Sequence, residues 1–180
     1  VYVAAGKGAY KKTINALNKI DFSPAKGKKV LLKPNAGRLA SKGEGITTDP
    51  QVVAAAIDAF KQAGADVSVG ESPITGVNAM EAFESTGITA VTLERNCRLI
   101  DMDKRPFVPL EIPEGRAIKE IKVCADVFDH DIIVSIPVMK IHMQTVATLS
   151  LKNMKGCLWR RSKVDLHMLP TLNDMNEILL

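Results

Sequence analysis

The chain has 180 residues, 46% of them apolar and 24% charged, with a net charge of +4. This is the size and composition of one soluble globular domain with a full core. Aromatics at 4% are too few for a stacking platform on single-stranded nucleic acid, and the mild basicity favours small anionic ligands instead.

Cys97, Cys124 and Cys157 are odd in number and widely spaced, without a C-x-x-C pair. They read as reduced, buried thiols, and no disulfide framework, structural zinc or iron–sulfur cluster is expected within this chain. No apolar run approaches the roughly 20 residues that span a bilayer, and no signal peptide is visible. No membrane partner and a cytoplasmic location are therefore expected.

Taken in order, Tyr2-Val3-Ala4-Ala5 reads as a short strand and Gly6-Lys7-Gly8 as a turn into a helix from about Ala9 to Ile20. Lys11 stands where the third glycine of G-x-G-x-x-G would be, so the turn lacks the phosphate-binding fingerprint. Val30-Leu31-Leu32-Lys33 is a second strand, stopped by Pro34. The loop from Ala36 to Ile46 carries Gly37, Gly43 and Gly45 and is long enough to form a lid. Asp49 suits a helix N-cap and Pro50 the first helical position, with Val52, Val53, Ala56, Ile57 and Phe60 as the buried stripe and Gly64 as the stop.

A third strand, Asp66-Val67-Ser68-Val69, is closed by Gly70-Glu71-Ser72-Pro73, and a helix follows from about Gly76 to Thr86. Thr89–Leu93 and Arg98–Ile100 are weaker strand candidates. The stretch 101–123, rich in proline and charge, reads as a hairpin-like excursion, with Asp101 and Asp103 as solvated carboxylates rather than a cation site. A short helix spans about Ala125–His130. Ile132-Ile133-Val134-Ser135-Ile136 is the strongest strand, continuous enough for a central parallel strand buried on both faces. Helical spacing returns over Thr145–Met154, placing Thr145, Thr148, Lys152 and Lys155 on one face, and a last helix is expected from about Asn173. Trp159–Lys163 is a basic patch with one aromatic, too little for a nucleic-acid site.

Strands alternating with helices imply a three-layer αβα fold with a mostly parallel sheet and right-handed crossovers. Ligands of such sheets sit beyond the carboxyl ends of the strands. Gly6-Lys7-Gly8, Lys33-Pro34-Asn35, Gly70-Glu71-Ser72 and Pro137–His142 all follow expected strands, so they should share one edge. Converging lysines repel unless an anion fills the space between them. The expected function is therefore to bind or transform a small anionic, carboxylate- or phosphate-bearing substrate. His142, Glu71 and Lys140 are the candidates for chemistry, His142 and Glu71 as acid and base. Lys33, Asn35, Thr47, Thr48, Ser72, Lys152, Asn153 and Lys155 are the candidates for ligand contact, Lys155 also being placed to complement a helix C-terminus. No metal site is expected.

Val30-Leu31-Leu32-Lys33-Pro34-Asn35, Thr47-Thr48-Asp49-Pro50, Gly70-Glu71-Ser72-Pro73, Asp131 through Pro137, Lys140-x-His142 and Leu151-Lys152-Asn153-Met154-Lys155-Gly156 together resemble the family called domain of unknown function 362. The resemblance runs over nearly the whole chain, in order. The family domain is longer, which implies that 1–180 is a single α/β domain forming part of it, truncated at its C-terminus. Some members carry ferredoxin-type modules, which implies as an alternative a non-catalytic accessory domain for an iron–sulfur or ferredoxin-type redox partner. A fainter similarity, of architecture alone, is to nickel-pincer lactate racemase domains around Thr47–Gly70; the racemase's paired histidines are absent here.

Overall fold

Apolar runs bounded by proline, glycine and capping residues become the elements of a parallel α/β sheet in the computed structural model. It describes residues 1–142 and 146–169, with the backbone alone at His142, Val146, Arg161 and His167. Along the chain come α1 (Ala9–Leu17), β1 (Lys29–Pro34), α2 (Pro50–Gln62), β2 (Asp66–Glu71), α3 (Ala79–Ser85), α4 (Ile88–Glu94) and β3 (Arg98–Asp101). Next are β4 (Phe107–Glu111), β5 (Glu120–Cys124), β6 (Ile132–Ile136), β7 (Lys140–His142), β8 (Val146–Thr148), α5 (Ser150–Asn153) and α6 (Arg161–His167). The main sheet has the order β3-β2-β1-β6, with every neighbouring pair parallel.

Two faces of this sheet are covered, giving three layers. On one, Val30, Leu32, Val67 and Val69 pack against Val53, Ile57 and Phe60 of α2 and Phe83 of α3. On the other, Leu31 meets Ile100, Met102, Cys124, Ile133 and Trp159, beneath the antiparallel β4–β5 hairpin. Leu166 of α6 packs on Ile121 and Val123 of that hairpin. Gly70 permits this close layering: a Cβ there would fall 2.9 Å from Leu31 Cδ1 and 3.1 Å from Met102 Sδ. Cys97, Cys124 and Cys157 are free and buried within these layers, and burial raises their thiols to about 11, 12 and 11.

Helix α2 starts as its sequence dictates. The Asp49 carboxylate accepts a hydrogen bond from the Gln51 amide at 2.8 Å, and Pro50 occupies the first turn, where no amide is needed. Asp49→Ala is expected to cost about 1 kcal/mol. It should appear as a lower urea midpoint with an unchanged slope.

Five expectations are corrected or fall outside the described residues. Val1–Ala5 form no strand; they are largely exposed, and none of the described strands pairs with them. Residues 88–94 are helix, not strand, because Ile88, Val91 and Thr92 fall on one buried helical face despite their β-branched chemistry. The run Ile132–Ile136 is half-buried and pairs only with β1 among the described residues, so it is an edge strand rather than a central one. The helix expected over 145–154 is shorter: β8 occupies Val146–Thr148, paired antiparallel with β7, and α5 begins at Ser150. Thr145 and the helix expected from Asn173 lie outside the described residues.

Candidate functional site

The site is built where β1, β2 and β6 end. Lys33, one residue before the end of β1, is 0% exposed. Its ammonium pairs with Glu71 at the end of β2, 2.8 Å from Oε1 and 2.9 Å from Oε2, and also donates to the Pro34 carbonyl at 3.0 Å. Glu71 accepts two further bonds, from the amides of Ala36 (3.1 Å) and Ser72 (3.0 Å). Burial pushes the Glu71 carboxyl above its ordinary range, against the opposing pull of Lys33 and the two amides.

Asn153 of α5 closes this network from above. Its amide nitrogen donates to the Lys33 carbonyl and to Ser135 Oγ, each at 3.0 Å, and so ties the ends of β1 and β6 together. Gly156 lies directly on the ion pair; a Cβ at this position would collide with Glu71 Oε1 and sit 2.6 Å from Lys33 Nζ. The Gly156 carbonyl accepts from the Ser72 amide at 3.2 Å, so the segment after α5 is held down on the loop after β2.

Above the pair opens a cavity of about 160 Å³. Six cationic side chains line it: Lys33, Arg38, Lys140, Lys152, Lys155 and Lys163. Glu71 is the one carboxylate among the described lining residues, and it is already engaged by Lys33. The cations depress one another. Lys140 is lowered by burial and then by Arg38, and Lys152 by burial and then by Lys140. Burial, and behind it the charges of Lys152 and Lys163, push the Lys155 amine down to about 7.

The β7–β8 pairing explains how two of these groups arrive. Lys140 stands opposite Thr148 across the hairpin, so both side chains reach the cavity wall. Lys140 also donates to the Ile46 carbonyl and, at 3.4 Å, to Asn35 Oδ1. Lys163 is held differently: its ammonium bonds to Ser72 Oγ, to the Pro73 carbonyl at 2.7 Å, and to Asp103 at 3.1 and 3.2 Å. Asp103, in the loop after β3, is thus a structural counter-ion for a buried lysine.

The sequence places the residues 30–180 within the matched region of a family model described as domain of unknown function (DUF362). The chain belongs to this family. It is also 26% identical over 142 residues to a thylakoid-associated protein of Synechocystis sp., covering 79% of this chain and 43% of that protein. The chain therefore spans less than half the length of this curated relative. No solved structure matches.

Most of the residues singled out in the sequence converge. Lys33, Asn35, Glu71, Ser72, Lys140, Lys152, Asn153 and Lys155 all line the one cavity. Thr47 and Thr48 do not. Thr48 is buried as a splice: its hydroxyl accepts from the Asn35 amide at 2.8 Å and donates to the Ile136 carbonyl at 2.7 Å, joining the β1 and β6 ends. The backbone of His142 is in β7, and its side chain lies outside the described residues. Gly6-Lys7-Gly8 is not part of the lining, since no strand precedes it to carry it to the edge.

Arg38 and Lys163 were missed as site residues. Arg38 sits in the glycine-rich loop whose length would allow a lid. Lys163, part of the basic patch Trp159–Lys163, is buried, while Trp159 packs on Phe107 with ring centroids 4.4 Å apart. No helix among the described residues is long and apolar enough to cross a membrane.

Proposed function

We infer that the cavity binds a small molecule bearing a carboxylate or phosphate, and that this binding is the function of the domain's strand-end edge. The observation that carries the reading is the charge imbalance: six cationic side chains face a cavity whose only described carboxylate is already paired. Left empty, such an arrangement is repulsive; an anion within it relieves the repulsion and opposes the downward shift of the lysines. The size of about 160 Å³ suits a molecule of a few heavy atoms rather than a nucleotide.

Lys33 and Glu71 satisfy each other, so in this reading they are the floor that fixes the geometry. Arg38, Lys140, Lys152 and Lys155 are the groups that hold the ligand, with Asn35 and Thr148 as polar contacts at its rim. Glu71 acts as a positioning residue for Lys33 more readily than as a proton acceptor, because both of its oxygens are already engaged.

Isothermal titration with inorganic phosphate and with oxalate tests the reading. Lys140→Ala and Lys152→Ala are each expected to weaken binding about tenfold or more, the value of a lost charge-assisted contact. Oxalate keeps a constant charge from pH 6 to 9, so its affinity should fall as pH rises through about 7, where Lys155 loses its proton. Wild-type affinity retained in both variants would overturn the assignment, and would favour the docking of an acidic ferredoxin-type partner on the same cations.

A further inference from the structure

The Lys155 amine differs from three other cations of the cavity. Lys33 and Lys163 are tied to carboxylates, and Lys140 donates to Asn35 and Ile46. Lys155 is 8% exposed, and its amine has no hydrogen-bond partner among the described residues. Beside it at the cavity, Thr148 is 4% exposed and its hydroxyl likewise lacks a partner. A buried hydroxyl without a partner and a lysine amine lining the same cavity mark a place where a ligand completes the bonding.

The groups around Lys155 decide its chemistry. Lys152 of α5 and Lys163 of α6 are the charges that act on it, and the Lys33–Glu71 pair lies beneath. Asp103 is committed to Lys163, and Glu71 to Lys33. Among the described residues an ammonium here has no counter-ion and stands beside two like charges. These and burial push the amine down to about 7, so a share of it is uncharged near neutral pH, and an uncharged lysine in a cationic pocket is a nucleophile for carbonyl carbon.

We propose that Lys155 forms a Schiff base with the ketone or aldehyde carbonyl of a small 2-oxo carboxylate, whose carboxylate is held by Arg38, Lys140 and Lys152. This deepens the anion reading and rests on it. The Lys155 nitrogen lone pair forms a bond to the carbonyl carbon, and the C=O π pair moves to oxygen. That oxygen takes one proton from the attacking nitrogen, giving a neutral carbinolamine. A second proton, supplied by a neighbouring ammonium or by solvent, lets the oxygen leave as water while the nitrogen lone pair closes the C=N bond. The product is an iminium ion, an electron sink at the carbon that bears the carboxylate, and no oxidant or reductant is consumed. The unpartnered Thr148 hydroxyl is placed to hydrogen-bond the carbonyl oxygen or the carbinolamine.

Trapping tests the step. The protein is incubated at pH 7 with pyruvate or glyoxylate and sodium cyanoborohydride, then digested and mapped by mass spectrometry. The expected result with pyruvate is one added mass of pyruvic acid less one oxygen, at Lys155, in preference to the exposed lysines. Lys155→Met should lose that label, and Lys152→Met, which keeps the amine, should retain it at lower yield. Excess inorganic phosphate should protect Lys155. Phosphate titration of the same preparation separates the two ideas. Phosphate binding with no label above the level of surface lysines overturns the Schiff base and leaves the anion site standing. Absence of both phosphate binding and label overturns the anion site as well. Should Lys155→Met fail to fold, label mapped to any other residue in the wild-type chain overturns the assignment to Lys155.

Discussion

Lys33→Met should destabilise the protein by about 3–5 kcal/mol, the cost of leaving a buried charge without its partner. The ammonium it removes is fully buried and lies 2.8 Å from Glu71. The methionine keeps most of the volume, so the loss reports charge rather than a cavity. Urea denaturation measures it. Lys33→Met/Glu71→Gln should recover part of the loss, because the neutral amide leaves no unpaired buried charge and its single oxygen can still accept from one of the Ala36 and Ser72 amides. A single variant within about 1 kcal/mol of wild type would mean that the pair contributes little to the edge it occupies.

Gly156→Ala is the second large effect, and its cause is steric alone. The glycine is not among those with a left-handed backbone, so alanine meets no conformational penalty. Its methyl group, however, would collide with Glu71 Oε1 and lie 2.5 Å from Lys33 Cε, and both side chains are tied to each other by the ion pair. Overpacking of this kind costs about 1–3 kcal/mol or more. The same displacement lifts the segment carrying Lys155 off the cavity floor, so phosphate affinity should fall in the same variant. Thermal melting and titration read the two effects. In Lys33→Met/Gly156→Ala the penalties should sum to less than the separate losses, because both act on one contact. Strict additivity would refute that shared cause.

The parallel sheet and its working edge were legible in the sequence because their signals are local. Val30–Lys33 stopped by Pro34, Asp66–Val69 before Gly70, and Asp49-Pro50 as a helix start each needed only a few adjacent residues. The placement of loops beyond the carboxyl ends of parallel strands then brought Lys33, Glu71 and Lys140 together without further information. What was illegible depends on partners distant in sequence. The run Ile132–Ile136 looks the same at an edge as at a centre, since hydrophobicity does not record how many neighbours pair. Residues 146–148 alternate too briefly to be told from helix, and only the β7–β8 register explains why Thr148 stands by Lys140. Lys163 gives no local sign that Asp103, far back along the chain, will draw it inside.

The link from Lys33 to Asn153 spans 120 positions of chain, and it is one of the bonds that close the cavity. Contacts so far apart form late, after the strands between them have ordered, because each must offset the entropy of a long closed loop. A partly folded chain thus has lysines but no pocket. If this edge binds an anion as proposed, that affinity belongs to the finished fold alone, and by mass action the ligand favours the native chain over every unfinished form of it.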